Sequence, residues 1–136
     1  MPARSKSRKR ALDILYAAEL RGQDPVAALE AAVAEGEGPT NPYTAELVRG
    51  VCAHRSRIDE LLSSYSQSWS VNRMPAVDRN ALRIGVFELL YADDVPAAVA
   101  VTEAVALVRN LSTDDSPAFV NGILGSMLKD RDTLVG

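Results

Sequence analysis

His54 is the only histidine in the chain, and Cys52 stands two positions before it. Those residue types could form a nucleophile–base dyad or begin a metal site. On a helix, however, positions i and i+2 point about 200° apart, so neither arrangement closes. The spacing supports a buried small cysteine and a surface histidine. Two carboxylate pairs, Asp93–Asp94 and Asp114–Asp115, each stand just before a stretch with helical periodicity. Acids there cap backbone N–H groups and meet the positive end of the helix dipole. Capping is their expected work, with Asp115 also placed to border a ligand surface. Glu103 sits beside Thr102 in an apolar stretch without a base, nucleophile or metal partner, which reads as a hydrogen-bonded structural carboxylate. Gly36 and Gly38 lie among acids, the wrong charge for a phosphate cradle. No catalytic constellation assembles, so the chain reads as a non-enzyme, and no cofactor or metal is expected.

Phosphate chemistry enters at the N-terminus instead. Arg4, Lys6, Arg8, Lys9 and Arg10 occupy five of seven consecutive positions. Overall the chain carries 15 Lys+Arg against 18 Asp+Glu, a net charge of −3. Its first ten residues hold five of the cations and no acid, which leaves residues 11–136 with ten cations against eighteen acids, or −8. The positive charge is therefore a local device. Cations at a helix N-terminus oppose the macrodipole and repel one another, so folding does not select this arrangement, whereas a polyanion would. The run alone leaves open a nucleic-acid contact, a solvated arm or remnant of added sequence, and a membrane- or calmodulin-type basic segment. The membrane reading is weakened by the small, Ala-rich stripe that follows.

The elements that must carry these residues are helical. Hydrophobic content is 47 % with only 5 % aromatics, a composition that suits packed helices better than a sheet. Ala11, Ile14, Leu15 and Ala18 fall at i, i+3, i+4 and i+7, a single apolar stripe that Gly22 ends. Asp24 with Pro25 opens a second helix to about Glu35, and the Gly- and Pro-rich 35–42 stretch is a loop. A third helix starts near Pro42 and carries apolar positions as far as Leu62. Residues 63–76 are serine-rich and break the pattern, with Trp69 expected to pin them down. Residues 77–92 are apolar nearly all round and predict a central helix. Two more follow, one after Pro96 and one carrying Val120, Ile123, Leu124, Met127 and Leu128. Asn121–Gly122 is a hairpin signal, but its flanks repeat at three and four, so helix wins. Gly122 and Gly125 would strip one face and let another backbone approach. The expectation is one all-α domain of two small bundles and about six or seven helices. Its halves are about 1–68, with a flexible basic arm at 1–10, and about 69–136.

One cysteine forms no internal disulfide, and no apolar run nears the ~18 residues of a membrane span. A basic start without a following apolar segment is not a signal peptide. The chain reads as cytoplasmic.

Three stretches, in order, carry a resemblance. "RKRALDILYAAEL" resembles the basic-then-amphipathic first helix of the NusB transcription antitermination family, "VDRNALRIGVFELLY" its central helix, and "DVPAAVAVTEAVALVRNLSTDDSPAFVNGILGSML" its C-terminal signature. The resemblance covers nearly the whole chain. It implies an all-α fold of two helical bundles and a non-catalytic role: binding boxA leader RNA together with NusE, a small-subunit ribosomal protein. Other Nus factors and RNA polymerase then join, and premature termination is suppressed. Some members are homodimers and others monomers, so either state is open. Carried over by position, Arg4, Lys6, Arg8, Lys9 and Arg10 match the arginine-rich RNA-binding arm. Tyr16 is placed to stack on or hydrogen-bond a base, or else to pack between helices. Tyr65, Arg73, Asp78, Arg79 and Arg83 extend the RNA surface, and Asp115 and Phe119 lie near it, with core packing favoured for Phe119. The family's usual Asn before Glu-Ala-Val is Thr102 here, which loses the amide donors, and a usual Lys is Arg109.

Two alternatives remain. NusB-like modules also precede ribosomal RNA cytosine methyltransferases, but a methyltransferase would need a Rossmann-like half and a catalytic cysteine motif not found here. A protein-interaction adaptor with nonspecific nucleic-acid contact is the other.

Overall fold

The computed structural model describes residues 2–67 and 69–135. Eight α-helices and one 3-10 turn make up its regular structure, with no strand among the described residues. The fold is all-α. It divides into two compact units, residues 1–53 and 54–136.

The first unit holds α1 (Ala3–Arg21), α2 (Pro25–Ala34) and α3 (Pro42–Ala53). The apolar stripe of α1, with Ala11, Leu12, Leu15 and Ala18, is buried with Leu29 of α2 and Leu47, Val48 and Val51 of α3. Gly22 ends α1 in the left-handed region at φ 63°, and Gln23 N–H reaches back to the Ala18 carbonyl at 2.8 Å. That closure needs a positive φ, which glycine adopts without penalty. Asp24 caps α2 as the sequence predicts, its Oδ2 accepting from the Ala27 N–H at 3.1 Å.

The second unit holds α4 (Arg55–Tyr65), the 3-10 turn Val71–Arg73, α5 (Ala76–Tyr91), α6 (Ala97–Leu111), α7 (Ser116–Lys129) and α8 (Arg131–Val135). Helix α5 is the axis, packed against α4, α6, α7 and α8. Eleven of its sixteen residues are buried, as expected of a helix apolar nearly all round. No described helix is long and apolar enough to cross a membrane.

The structure differs from the sequence expectations in several places. The helix begun at Pro42 breaks at His54 (φ −111°, ψ 15°), and α4 restarts from there. The histidine ring stacks on Tyr91 at 3.8 Å between centroids, which fixes the break. The division between units consequently falls at Ala53/His54 rather than near 68, because Ile58, Leu61 and Leu62 of α4 are buried with α5 and α7. Ser68, where the sequence places the seam, lies outside the described residues. Residues 3–10, expected as a flexible arm, are the first two turns of α1. Lastly, a Cβ at Gly122 or Gly125 would meet nothing within 4 Å, so these glycines admit no close neighbour. Gly85 does that work instead, since a Cβ there would stand 2.7 Å from Leu124 Cδ1 and 3.1 Å from Ala104 Cβ.

Candidate nucleic-acid interface

A helical arm loaded with cations must be held by something other than its own charge. Ser7 is buried, and its hydroxyl donates to the Ala3 carbonyl at 3.0 Å. The Thr44 hydroxyl of α3, also buried, donates to the Ser7 carbonyl at 3.2 Å. Beside it, Tyr43 presents its ring to Arg4, whose guanidinium carbon lies 4.2 Å from the ring centroid, and to Arg8 at 5.9 Å. Cation–π contact of this kind offsets the mutual repulsion of the two guanidinium groups. Arg8 is only 3 % exposed. Two of the five cations therefore clamp the arm onto α3.

The other three, Lys6, Lys9 and Arg10, are exposed. At i, i+3 and i+4 they share one face of α1. Half-buried Tyr16 follows two turns later. Lys6 and Arg10 also form one wall of a cleft of about 570 Å³, whose opposite wall includes Thr40, Asn41 and Thr44. No acid lines it. Asn41 Oδ1 accepts the Tyr43 N–H at 2.9 Å, setting the entry of α3 and the far wall of the cleft. The sequence reading missed Thr40, Asn41 and Thr44, because Glu35 and Glu37 made the 35–42 loop look repulsive to phosphate. Neither glutamate lines the cleft. The readable signal was Asn-Pro before a helical stripe, a cap rather than a spacer.

The site residues expected in the second unit divide by burial. Asp78 is fully buried in the first turn of α5 and accepts from the Ser112 hydroxyl at 2.6 Å and the Ser116 hydroxyl at 2.8 Å. It ties the α6–α7 connection to α5. Arg79 donates to the Val71 and Met74 carbonyls at 3.0 and 2.8 Å, closing the 3-10 turn. Arg83 makes a two-pronged pair with Asp59 of α4, Nε to Oδ1 at 2.9 Å and Nη2 to Oδ2 at 3.0 Å, while Nη1 donates to Asn80 Oδ1 at 3.1 Å. These three side chains brace the unit from within.

Arg73, by contrast, is exposed in the 3-10 turn. Asp115 is exposed at the start of α7 and makes no side-chain cap, contrary to the capping expectation; the Thr113 N–H is taken by the Ser116 hydroxyl at 3.2 Å. One turn on, Phe119 is half-buried against Trp69, with ring centroids 4.9 Å apart at 66°. The Tyr65 hydroxyl donates to Asp130 Oδ2 at 2.6 Å. That bond, with some burial and the adjacent negative charge, raises the phenol above its ordinary value of 10.0.

Taken together, the arrangement offers three aligned exposed cations beside a polar, acid-free cleft, and an aromatic pair with a free-standing carboxylate in the second unit. Aligned exposed cations are the chemistry that holds phosphate, and, in the second unit by itself, a partly exposed aromatic pair is the chemistry that stacks bases. Comparison with known proteins shows the family. The family model for the NusB family matches residues 5–129. The transcription antitermination protein NusB of Nocardioides sp. is 70 % identical over 134 residues, covering 98 % of this chain and 99 % of its own. That of Saccharopolyspora erythraea is 56 % identical over 98 % and 92 %. Among solved structures, T. maritima NusB superimposes with a TM-score of 0.84 at 34 % identity, over 96 % of this chain and 93 % of that one. A crystal structure of antitermination factors NusB and NusE in complex with dsRNA gives 0.79 at 29 % identity, over 93 % and 96 %. On the ordered motifs, the two helical units and these likenesses, the chain belongs to the NusB family.

Proposed function

We propose that this chain is a non-catalytic, cytoplasmic transcription antitermination factor that binds boxA leader RNA together with NusE and suppresses premature termination of ribosomal RNA transcription. The observation that carries this reading is the exposed trio Lys6, Lys9 and Arg10 at the edge of an acid-free cleft, on a chain whose remaining 126 residues are net acidic. The relative solved with NusE and dsRNA supports the same partners. Within the first unit, those cations contact phosphate and Tyr16 contacts a base, while Arg4 and Arg8 hold the arm in place. Within the second, Arg73, Asp115 and Tyr65 are the exposed or half-exposed contributors, and Asp78, Arg79 and Arg83 position the helices that carry them. Nus factors and RNA polymerase join through the assembled complex.

The test is a titration of boxA RNA and a scrambled RNA of equal length, each with and without NusE. The expected result is tighter binding of boxA when NusE is present, with a smaller change for the scrambled strand. No gain in either affinity or discrimination on adding NusE would remove the antitermination reading.

A further inference from the structure

Trp69 is the only tryptophan in the chain and stands 41 % exposed. Holding the 69–74 segment in place does not require it. Val71 and Met74 from the same segment are buried, and Arg79 bonds two of its carbonyls. Instead Ser66 fixes the Trp69 backbone: its hydroxyl donates to the Trp69 carbonyl at 2.6 Å and accepts from the Trp69 backbone N–H at 3.3 Å. Phe119 packs against the indole with ring centroids 4.9 Å apart at 66°, and the tryptophan stays partly exposed beside it. In sequence the tryptophan is flanked by the polar residues Ser66, Gln67, Ser70, Asn72 and Arg73. A protein-docking surface needs a contiguous apolar patch of a few hundred Å², which is larger than one aromatic pair flanked by polar residues. A nucleobase needs only one preorganised π-face with polar groups and a cation within reach.

We infer that Trp69 is a stacking platform for one base of single-stranded RNA, backed by Phe119; this rests on the RNA-binding reading above. The second unit thereby contributes a contact that does not depend on phosphate charge.

Because Trp69 is the sole tryptophan, its emission reports the contact directly. Titration of the full chain with a boxA RNA oligomer should quench that emission along the same curve as the anisotropy of end-labelled RNA. Trp69→Ala should weaken binding about tenfold, with Trp69→Phe between it and the wild type. The slope of log K against log salt should stay unchanged in both, since stacking releases no counterion. Matching thermal midpoints would show that both variants remain folded. An abasic scan of the RNA should reveal one position whose loss costs the wild type affinity and costs Trp69→Ala nothing further.

RNA binding by anisotropy with unmoved emission and an unaffected Trp69→Ala would overturn the inference and leave the RNA-binding reading intact. Quenching by NusE without RNA would also overturn it, by making the indole a protein contact. Absence of any RNA binding by anisotropy would remove both readings together.

Discussion

At the scale of single residues, the Asp-Arg pair that opens the central helix marks the boundary between motif and mechanism. Asp78, Arg79 and Arg83 lie in the stretch that most strongly suggests the family, yet their polar atoms are bonded inside the second unit. Removing one partner of a buried ion pair strands the other, which costs about 3–5 kcal/mol for well-buried cases. The Arg83 side chain is 4 % exposed but that of Asp59 is 28 % exposed and also pairs with Arg55. Arg83→Ala should therefore lower stability by less than that range, about 2 kcal/mol, read from the midpoint of urea unfolding. Tyr65 gives a pH signature. Its phenol is raised by the bond to Asp130, so the bond's contribution to stability is complete below the unfolded value near 10 and is lost as pH rises through the folded one. An ultraviolet titration, differenced against Tyr65→Phe, should place this phenol above 10, and Asp130→Ala should return it downward.

At the scale of elements, α5 and α7 carry glycines with opposite meanings. Gly85 of α5 lies against Leu124 and Ala104 with no room for a methyl group. Overpacking costs typically 1–3 kcal/mol, offset in part by the better helix propensity of alanine, so Gly85→Ala should be net destabilising by about 1 kcal/mol. Gly122 faces open space, and Gly122→Ala should stabilise by about 0.5–1 kcal/mol. Paired denaturant midpoints that move in opposite directions would verify both. Sequence periodicity revealed most helices here, including the buried axis α5, because a 3.6-residue repeat is a local property. It could not separate Gly85 from Gly122, since crowding depends on a neighbouring helix far along the chain. The break at His54 was hidden for the same reason: a stack on Tyr91 is tertiary. The site shows the same division. The cations were legible as a charge run, but their sorting into clamp and contact depends on Tyr43 and Thr44, some thirty residues later.

At the scale of the whole molecule, the proposed function asks a cationic face of three to draw a polyanion to a chain that is otherwise −8 beyond residue 10. Each phosphate contact on single-stranded RNA adds about −0.7 to the slope of log K against log salt. Lys6, Lys9 and Arg10 together should give about −2, so raising salt from about 50 to 200 mM weakens binding roughly 20-fold. Replacing all three by Ala should flatten the slope by about two units with little change in unfolding midpoint. Arg8→Ala should do the reverse, lowering the midpoint while leaving the slope nearly intact. A slope that responded to Arg8 and ignored the trio would mean that the arm leaves α3 when RNA arrives.

The docking of Ser7 on Thr44 also governs how this chain can change length. A disordered tail absorbs an inserted residue without consequence. A helical one keeps count: a single insertion between Ser7 and Lys9 would rotate everything before it by about 100° about the axis. Ser7 would then swing away from Thr44, and Lys6 out of line with Lys9 and Arg10. Insertions ahead of Ala3 carry no such penalty. Selection on this end of the protein therefore acts on phase as well as on charge, and shuffling the same basic residues within 3–10 would not preserve the interface.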